Sequence, residues 1–169
     1  IISDSRQVNP GWYWVRESSP EVIYDLITEY SLGEANESVR GRILSNIDRY
    51  ELPISRPQLE KMLDDQTNLA TTLRLLKGAH GEFELEVALR HVESDRAEVR
   101  AMARSKAVQL SKSANPGRAF ELACRYVAAQ NDLMGLFSVE DIQKLPPEII
   151  VAAIEKQPST FPDAFLRRI

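Results

Sequence analysis

The sequence predicts an all-α protein, on the evidence of its composition, its proline positions and the spacing of its apolar residues. Ala and Leu outnumber Val and Ile, and the 169 residues include only seven glycines and nine prolines. This balance favours helices over strands. Most prolines stand where a helix would begin, a position at which the missing N–H costs nothing. The length suits one domain with a substantial core.

Capping signals indicate where the helices begin. Ser19-Pro20, Asn115-Pro116 and Pro146-Pro147 each read as a start. Ser55 with Gln58 fits a capping box, and Asp95 with Glu98 and Ser138 with Asp141 follow the same reciprocal logic. From these signals we predict ten helices, over residues 20–32, 36–50, 56–65, 67–77, 82–93, 95–112, 116–130, 138–145, 147–156 and 160–168.

One segment has an ambiguous pattern. Phe83, Leu85, Val87 and Leu89 occupy alternate positions, which is the period of a strand. The content of Glu, Ala and Leu and the length of twelve residues favour a helix over 82–93.

Three of the predicted helices repeat at a fixed offset. Val39, Leu69 and Val99 are separated by 30 residues each, and an apolar residue follows four positions after each of them. The same offset relates Asp65 to Asp95. A period of this length with one helical hairpin per unit is typical of a solenoid. We therefore expect an α-solenoid of about five antiparallel helical hairpins.

The helix over 95–112 has apolar residues on two sides. Val99, Met102, Ala103, Ala107 and Leu110 form one stripe, and Ala97, Ala101 and Val108 form a second on the opposite side. The two stripes predict a helix packed between neighbouring repeats. The alternative is that the alanines serve only as good helix formers on the surface.

The stretch from Leu89 to Ala103 resembles a HEAT repeat, in which a first helix ends in leucines and Val-Arg opens the second helix after an Asp at the turn. Asn36–Arg40 resembles the same junction with Ala35 in place of the Asp, and Asp65–Leu73 keeps the Asp but has Ala70 in place of the Arg. The resemblance covers residues 20–112 and implies a HEAT/armadillo-like fold. It also implies that Asp95 and Arg100 are structural residues that link successive turns into a ladder.

We expect residues 1–19 to form an N-terminal extension and residues 20–169 to form a single helical-repeat domain. The chain begins with Ile1 and not Met, so we expect a fragment of a larger protein. Trp12 and Trp14 flank Tyr13 in the extension. These aromatic residues are expected to cap the first repeat, or alternatively to form a partner-binding hot spot.

The charge distribution indicates a second candidate for partner binding. The whole chain has a net charge of −4, yet residues 90–125 contain eight Lys/Arg against four Asp/Glu. Arg96, Arg100 and Arg104 follow i, i+4, i+8 spacing and could face phosphate or an acidic protein surface. The alternative is a solvated flank in which Arg100 pairs with Asp95. Lys106 falls inside the apolar stripe and must extend its amine to solvent or meet an acidic group.

The sequence predicts no catalytic, cofactor-binding or metal-binding residues. A single Cys excludes a disulfide framework, and Cys124 lies on an apolar stripe that predicts a buried, inert thiol. His80 and His91 lack partners at metal-ligand spacing, and His91 lies near a helix C-terminus, where a cation is mildly favoured. The glycines form no phosphate-binding loop.

These features favour a non-catalytic scaffold or regulatory module that binds a protein partner. If the row from Arg96 to Arg104 lies on the binding surface, we expect that partner to have an acidic surface. One alternative is a nucleic-acid-binding domain, similar to the HEAT-like DNA glycosylases, that uses the basic row from Arg96 to Arg104. Another is the sensor region of a multidomain NTPase. The chain has no apolar run of the length of a membrane span and no signal peptide, so we expect a cytoplasmic protein without a membrane partner.

Overall fold

The computed structural model describes Gly33, residues 36–126 and residues 136–156. About three-quarters of these residues are helical and none is in a strand, which confirms the all-α prediction. In chain order the α-helices of this part are α1 Glu37–Arg49, α2 Arg56–Leu63, α3 Leu69–Arg74, α4 Glu82–Arg90, α5 Ala97–Ala114, α6 Pro116–Tyr126, α7 Val139–Gln143 and α8 Pro147–Lys156.

The predicted helices agree with the observed ones except at their ends. The segment with the alternating pattern is the helix α4. The predicted helix over 67–77 is shorter, because a 3₁₀ helix over Gln66–Asn68 precedes the six residues of α3. The predicted helices over 20–32 and 160–168 lie outside the described residues.

Side-chain caps fix several of these helix starts. The Asn36 side-chain oxygen accepts hydrogen bonds from the backbone N–H of Ser38 at 3.0 Å and of Val39 at 3.3 Å. Ser138 and Asp141 form the predicted capping box, with both hydrogen bonds at 3.1 Å. Such caps satisfy backbone donors that the first turn of a helix leaves without a partner.

The capping box predicted for Asp95 and Glu98 is wrong. Arg96 is the residue that precedes the first turn of α5, so Asp95 lies one position too early to cap it. The Glu98 carboxylate instead accepts a hydrogen bond from the Arg96 guanidinium at 2.8 Å.

The chain divides into two compact units, one up to His80 and one from Gly81 onward. In the first unit, α1 packs against α3 and its preceding 3₁₀ helix. The core cluster of this unit consists of Ile43, Leu44, Ile47, Leu52, Met62 and Leu75.

Two contacts show that α1 runs parallel to the chain segment from Gln66 to Lys77. The Thr67 hydroxyl lies 3.2 Å from the Glu37 carboxylate at the start of α1, and the Lys77 amine lies 3.1 Å from the Asp48 carboxylate at its end. These pairs are 30 and 29 residues apart, which matches the repeat found in the sequence. Gly41 permits this packing, because a Cβ there would lie 2.9 Å from the Asn68 side-chain oxygen.

In the second unit, α5 packs against α4 and α6, and α6 packs against α8. The rings of Phe120 and Phe137 meet edge to face in the core at 5.6 Å between centroids. The core cluster consists of Val108, Ala119, Phe120, Ala123, Cys124, Phe137, Ile142, Leu145 and Ala153.

The first apolar stripe of α5 is confirmed at Val99, Ala103 and Ala107, with Met102 and Leu110 half-buried, and the second is confirmed only at Val108. Val99, Ala103 and Ala107 are fully buried, and Val108 is 1% exposed. Ala97 and Ala101 are exposed, so the prediction of packing on both sides is wrong for the first turns of α5. Lys106 is buried with only 9% of its surface exposed, so it does not lie open to solvent.

Candidate partner-binding surfaces

Of the five residues predicted to bind a partner, Trp12 and Trp14 lie outside the described residues. Their role remains a prediction. The structure places Arg96 directly before α5, and Arg100 and Arg104 within the first two turns of that helix.

Arg100 is held by the turn that precedes its own helix. Its guanidinium donates to the backbone carbonyl oxygen of Ser94 at 2.6 Å and of Asp95 at 3.3 Å. The predicted pairing of Arg100 with Asp95 therefore involves the main-chain carbonyl of Asp95.

Arg104 makes the most extensive contacts of the three. Its Nε donates to the Val92 carbonyl at 2.8 Å, and its Nη2 donates to the Glu93 carboxylate at 2.9 Å. Its guanidinium carbon also lies 4.9 Å from the ring centroid of Tyr126, within range of a cation–π interaction. Because Arg96 pairs with Glu98, contacts within the chain engage the whole basic row.

Arg40 forms an ion pair with Asp65, a residue 25 positions further along the chain. Arg40 Nε on α1 donates to the Asp65 carboxylate at 2.9 Å, and the two side chains are only 16% and 13% exposed. In the sequence, Arg40 lies 60 residues before Arg100, and Asp65 lies 30 residues before Asp95. Arg100 follows Asp95 by five residues. An arginine at the equivalent position one period earlier therefore precedes the aspartate by 25 residues, which is the separation of Arg40 and Asp65. This arithmetic is the signal from which the pair could have been found in the sequence.

Asp65 is a hydrogen-bonded carboxylate. Burial acts to raise the pKa of Asp65, but hydrogen bonds from Asn68 and Arg40 outweigh it and lower the pKa below the ordinary 3.8. Thr67 adds a backbone N–H at 3.1 Å from the other carboxylate oxygen. The charged form of Asp65 is therefore part of the folded structure.

Sequence reasoning missed an exposed row of residues on α1, which we name the arginine stripe: Ser38, Arg42, Ser45 and Arg49. All four residues are exposed. Within the described part of the chain, neither arginine side chain has a hydrogen bond or an ion pair. The stripe was overlooked because its surroundings have little net charge, whereas residues 90–125 stand out as basic.

Lys112 connects α5 to the start of α7. Its amine donates to the Leu136 carbonyl at 2.8 Å and to the Asp141 carboxylate at 3.1 Å, and it lies 5.0 Å from the ring centroid of Phe137. Hydrogen bonds from the Ser138 backbone and from Lys112 lower the pKa of Asp141 below its ordinary value.

A shallow cavity of about 220 Å³ lies between α6 and α8. Its lining includes Cys124 with Ala152 and Ala153, and charged residues Glu121, Arg125 and Lys156. Burial raises the pKa of the Cys124 thiol to about 12, and the thiol is buried as predicted.

The two histidines lie eleven residues apart in the chain. A ring nitrogen of His80 is 2.8 Å from the Ile54 carbonyl. Burial, with a smaller effect of Arg90, lowers the pKa of His91, so the expected preference for a cation at this helix end is not met. Among the described residues, no three His, Cys, Asp or Glu side chains are grouped to hold a metal ion.

No helix in the described ranges combines the length and the apolar character needed to span a bilayer. Comparison of the chain with protein families, with curated protein sequences and with solved structures finds no match.

Proposed function

We propose that this chain is a non-catalytic protein–protein interaction module built as a HEAT-like α-solenoid. The observation that carries the proposal is the parallel packing of α1 against α3 in a register of 30 residues, joined by the Arg40–Asp65 ion pair. A repeat of this length, with equivalent helices side by side, is the arrangement from which solenoids are built.

The proposed architecture supplies a reason for the function. In a solenoid each repeat contacts only its neighbours, so equivalent helices line up and present their outer faces as one extended surface. Such a surface suits a partner that contacts several helices in succession. On α1, the face that a partner would meet contains the arginine stripe.

Small-angle X-ray scattering tests the architecture. A compact protein of this length has a radius of gyration of about 15 Å. We expect a clearly larger value, because a stack of hairpins grows along one axis as repeats are added. A value of about 15 Å for the monomer would contradict the solenoid.

Site-specific photo-crosslinking in the native cells tests the function. A photoreactive amino acid at Ser45, on the exposed face of α1, is expected to give a discrete protein adduct. The same amino acid at exposed Lys61 on α2 is the control, since α2 is the other helix of the hairpin. The proposal fails if no exposed helix position yields a protein adduct, or if the adducts contain only nucleic acid.

A further inference from the structure

The arginine stripe has a narrow and regular geometry. At 100° per residue, Ser38, Arg42, Ser45 and Arg49 lie within about 60° of one another around the helix axis. Arg42 and Arg49 are seven residues apart, so their side chains leave α1 about 10 Å apart along the axis. The two cations therefore lie on the same face, two turns from one another.

Acidic residues of the same helix do not neutralise the stripe. Glu37 is 3.2 Å from the Thr67 hydroxyl, and Asp48 pairs with Lys77 at 3.1 Å, both on the side of α1 that packs against the following repeat. The half-buried Arg40 of α1 is paired with Asp65. Arg42 and Arg49 differ from Arg40 because both are exposed and neither has an ion-pair partner among the described residues.

The residues between the arginines leave room for a partner. Ser38 and Ser45 are small, and the Ser45 hydroxyl donates back to the Gly41 carbonyl at 2.9 Å, which keeps it close to the helix. Another chain can therefore approach α1 between the two guanidinium groups. Arginine suits such a contact, since its planar group binds a carboxylate through two parallel hydrogen bonds and is weakly hydrated.

We infer that the arginine stripe is the docking site for an acidic segment of a partner protein, with carboxylates spaced about 10 Å apart, as at positions i and i+7 of a helix. This inference rests on the proposed function and names the chemistry of its partner. The small number of cations in the stripe and the net negative charge of the chain favour a protein partner over a nucleic acid. Affinity for a phosphate backbone grows with the number of basic contacts, on the order of six to ten in strongly salt-dependent binders, whereas the stripe offers two cations in a chain of net charge −4.

Fluorescence anisotropy with a designed peptide tests the inference. The probe is a labelled alanine-based helical peptide with glutamates at i and i+7, compared with the same peptide containing glutamine at both positions. We expect the glutamate peptide to bind the whole chain and the glutamine peptide to bind at least roughly tenfold more weakly, a difference of about 1.4 kcal/mol.

The matched variants are Arg42→Gln/Arg49→Gln and Arg118→Gln/Lys144→Gln. Each removes two exposed cations, the second pair from a different part of the chain. We expect the stripe variant to weaken peptide binding roughly tenfold and the control variant to change it less than twofold. Arg42→Lys/Arg49→Lys should recover part of the affinity, because charge remains but the paired hydrogen bonds do not.

Three results would overturn the inference: no binding of the glutamate peptide, equal losses in both glutamine variants, or unchanged binding by the stripe variant. A 20-base-pair DNA duplex is tested in parallel. Binding of the duplex, lost in the stripe variant while the peptide does not bind, would identify a nucleic-acid surface instead. Scattering tests the solenoid independently, so a failure of the docking site can be distinguished from a failure of the proposed function.

Discussion

The described arginine residues fall into two groups, according to whether the side chain has a hydrogen-bonding partner. Arg40, Arg100 and Arg104 bind carboxylates or main-chain carbonyls of their own chain. Arg42 and Arg49 are exposed, and neither side chain has a hydrogen bond or an ion pair among the described residues. Spacing along a helix does not distinguish the two groups, because arginines with partners and arginines without them both recur at helical intervals.

The sequence predicted where Arg96, Arg100 and Arg104 lie on their helix but not what they contact. Their partners include the backbone carbonyls of Val92, Ser94 and Asp95, or a carboxylate at the same turn. The direction of a carbonyl depends on the dihedral angles of the turn, which residue spacing alone does not determine. The Arg40–Asp65 pair was easier to predict from the sequence, since both residues belong to the 30-residue pattern.

Arg104→Lys is predicted to lower the free energy of unfolding by about 1 kcal/mol, because an ammonium cannot reproduce two directed hydrogen bonds and the contact with Tyr126. Urea denaturation measures the change. The matched control is Arg90→Lys, whose 3.9 Å pair with Glu86 is exposed at both side chains. The control should remain within about 0.5 kcal/mol of the wild type. Equal losses in both variants would contradict the role given to Arg104.

At the scale of helices, prediction from sequence was most accurate where signals are local. The capping residues Ser55 and Ser138 act within a single turn, and the helices after them begin as expected. Exposure of Ala97 and Ala101 was not predictable, because alanine is compatible with both buried and exposed helix faces. The other helices that pack against α5 determine which of its faces is buried, and these helices lie outside the stretch that contains Ala97 and Ala101.

Val99→Asp is predicted to unfold the second unit, because Val99 is fully buried and a carboxylate there would lack any partner, at a cost of several kcal/mol. Ala101→Asp, two residues along the same helix but exposed, should leave the melting temperature nearly unchanged. Thermal melts followed by circular dichroism compare the two variants. If Val99→Asp melted at the same temperature as the wild type, Val99 could not be buried in the core as the structure describes.

At the scale of the whole chain, the 30-residue offset found in the sequence corresponds to a physical contact in the first unit. The expectation of one domain over 20–169 stays a prediction beside the two compact units of the structure. Sequence periodicity reports which helices are equivalent. It does not report how many contacts join one repeat to the next, because those contacts depend on side-chain geometry.

Acid is predicted to destabilise both units. Asp65 in the first unit and Asp141 in the second have a pKa below the ordinary 3.8 in the folded protein. The unfolded chain therefore takes up protons first, so the stability from these groups is present above about pH 3.9 and is lost as the pH falls through the lowered values. Urea midpoints between pH 5 and pH 2.5 should fall further for the wild type than for Asp65→Asn/Asp141→Asn. If the urea midpoint fell equally in the wild type and in the variant, Asp65 and Asp141 would not be the cause of the loss of stability in acid.

The burial of Cys124 has a practical consequence for spectroscopy. Burial raises the pKa of the Cys124 thiol to about 12, so the thiol is protonated at pH 7 and its side chain is covered, and the chain contains no other cysteine. A thiol introduced at exposed Ser38 or Ser45 would therefore react with a maleimide dye far faster than the native one. A fluorophore can thus be attached to α1 without replacing any buried residue, and its emission would report whatever docks beside Arg42 and Arg49.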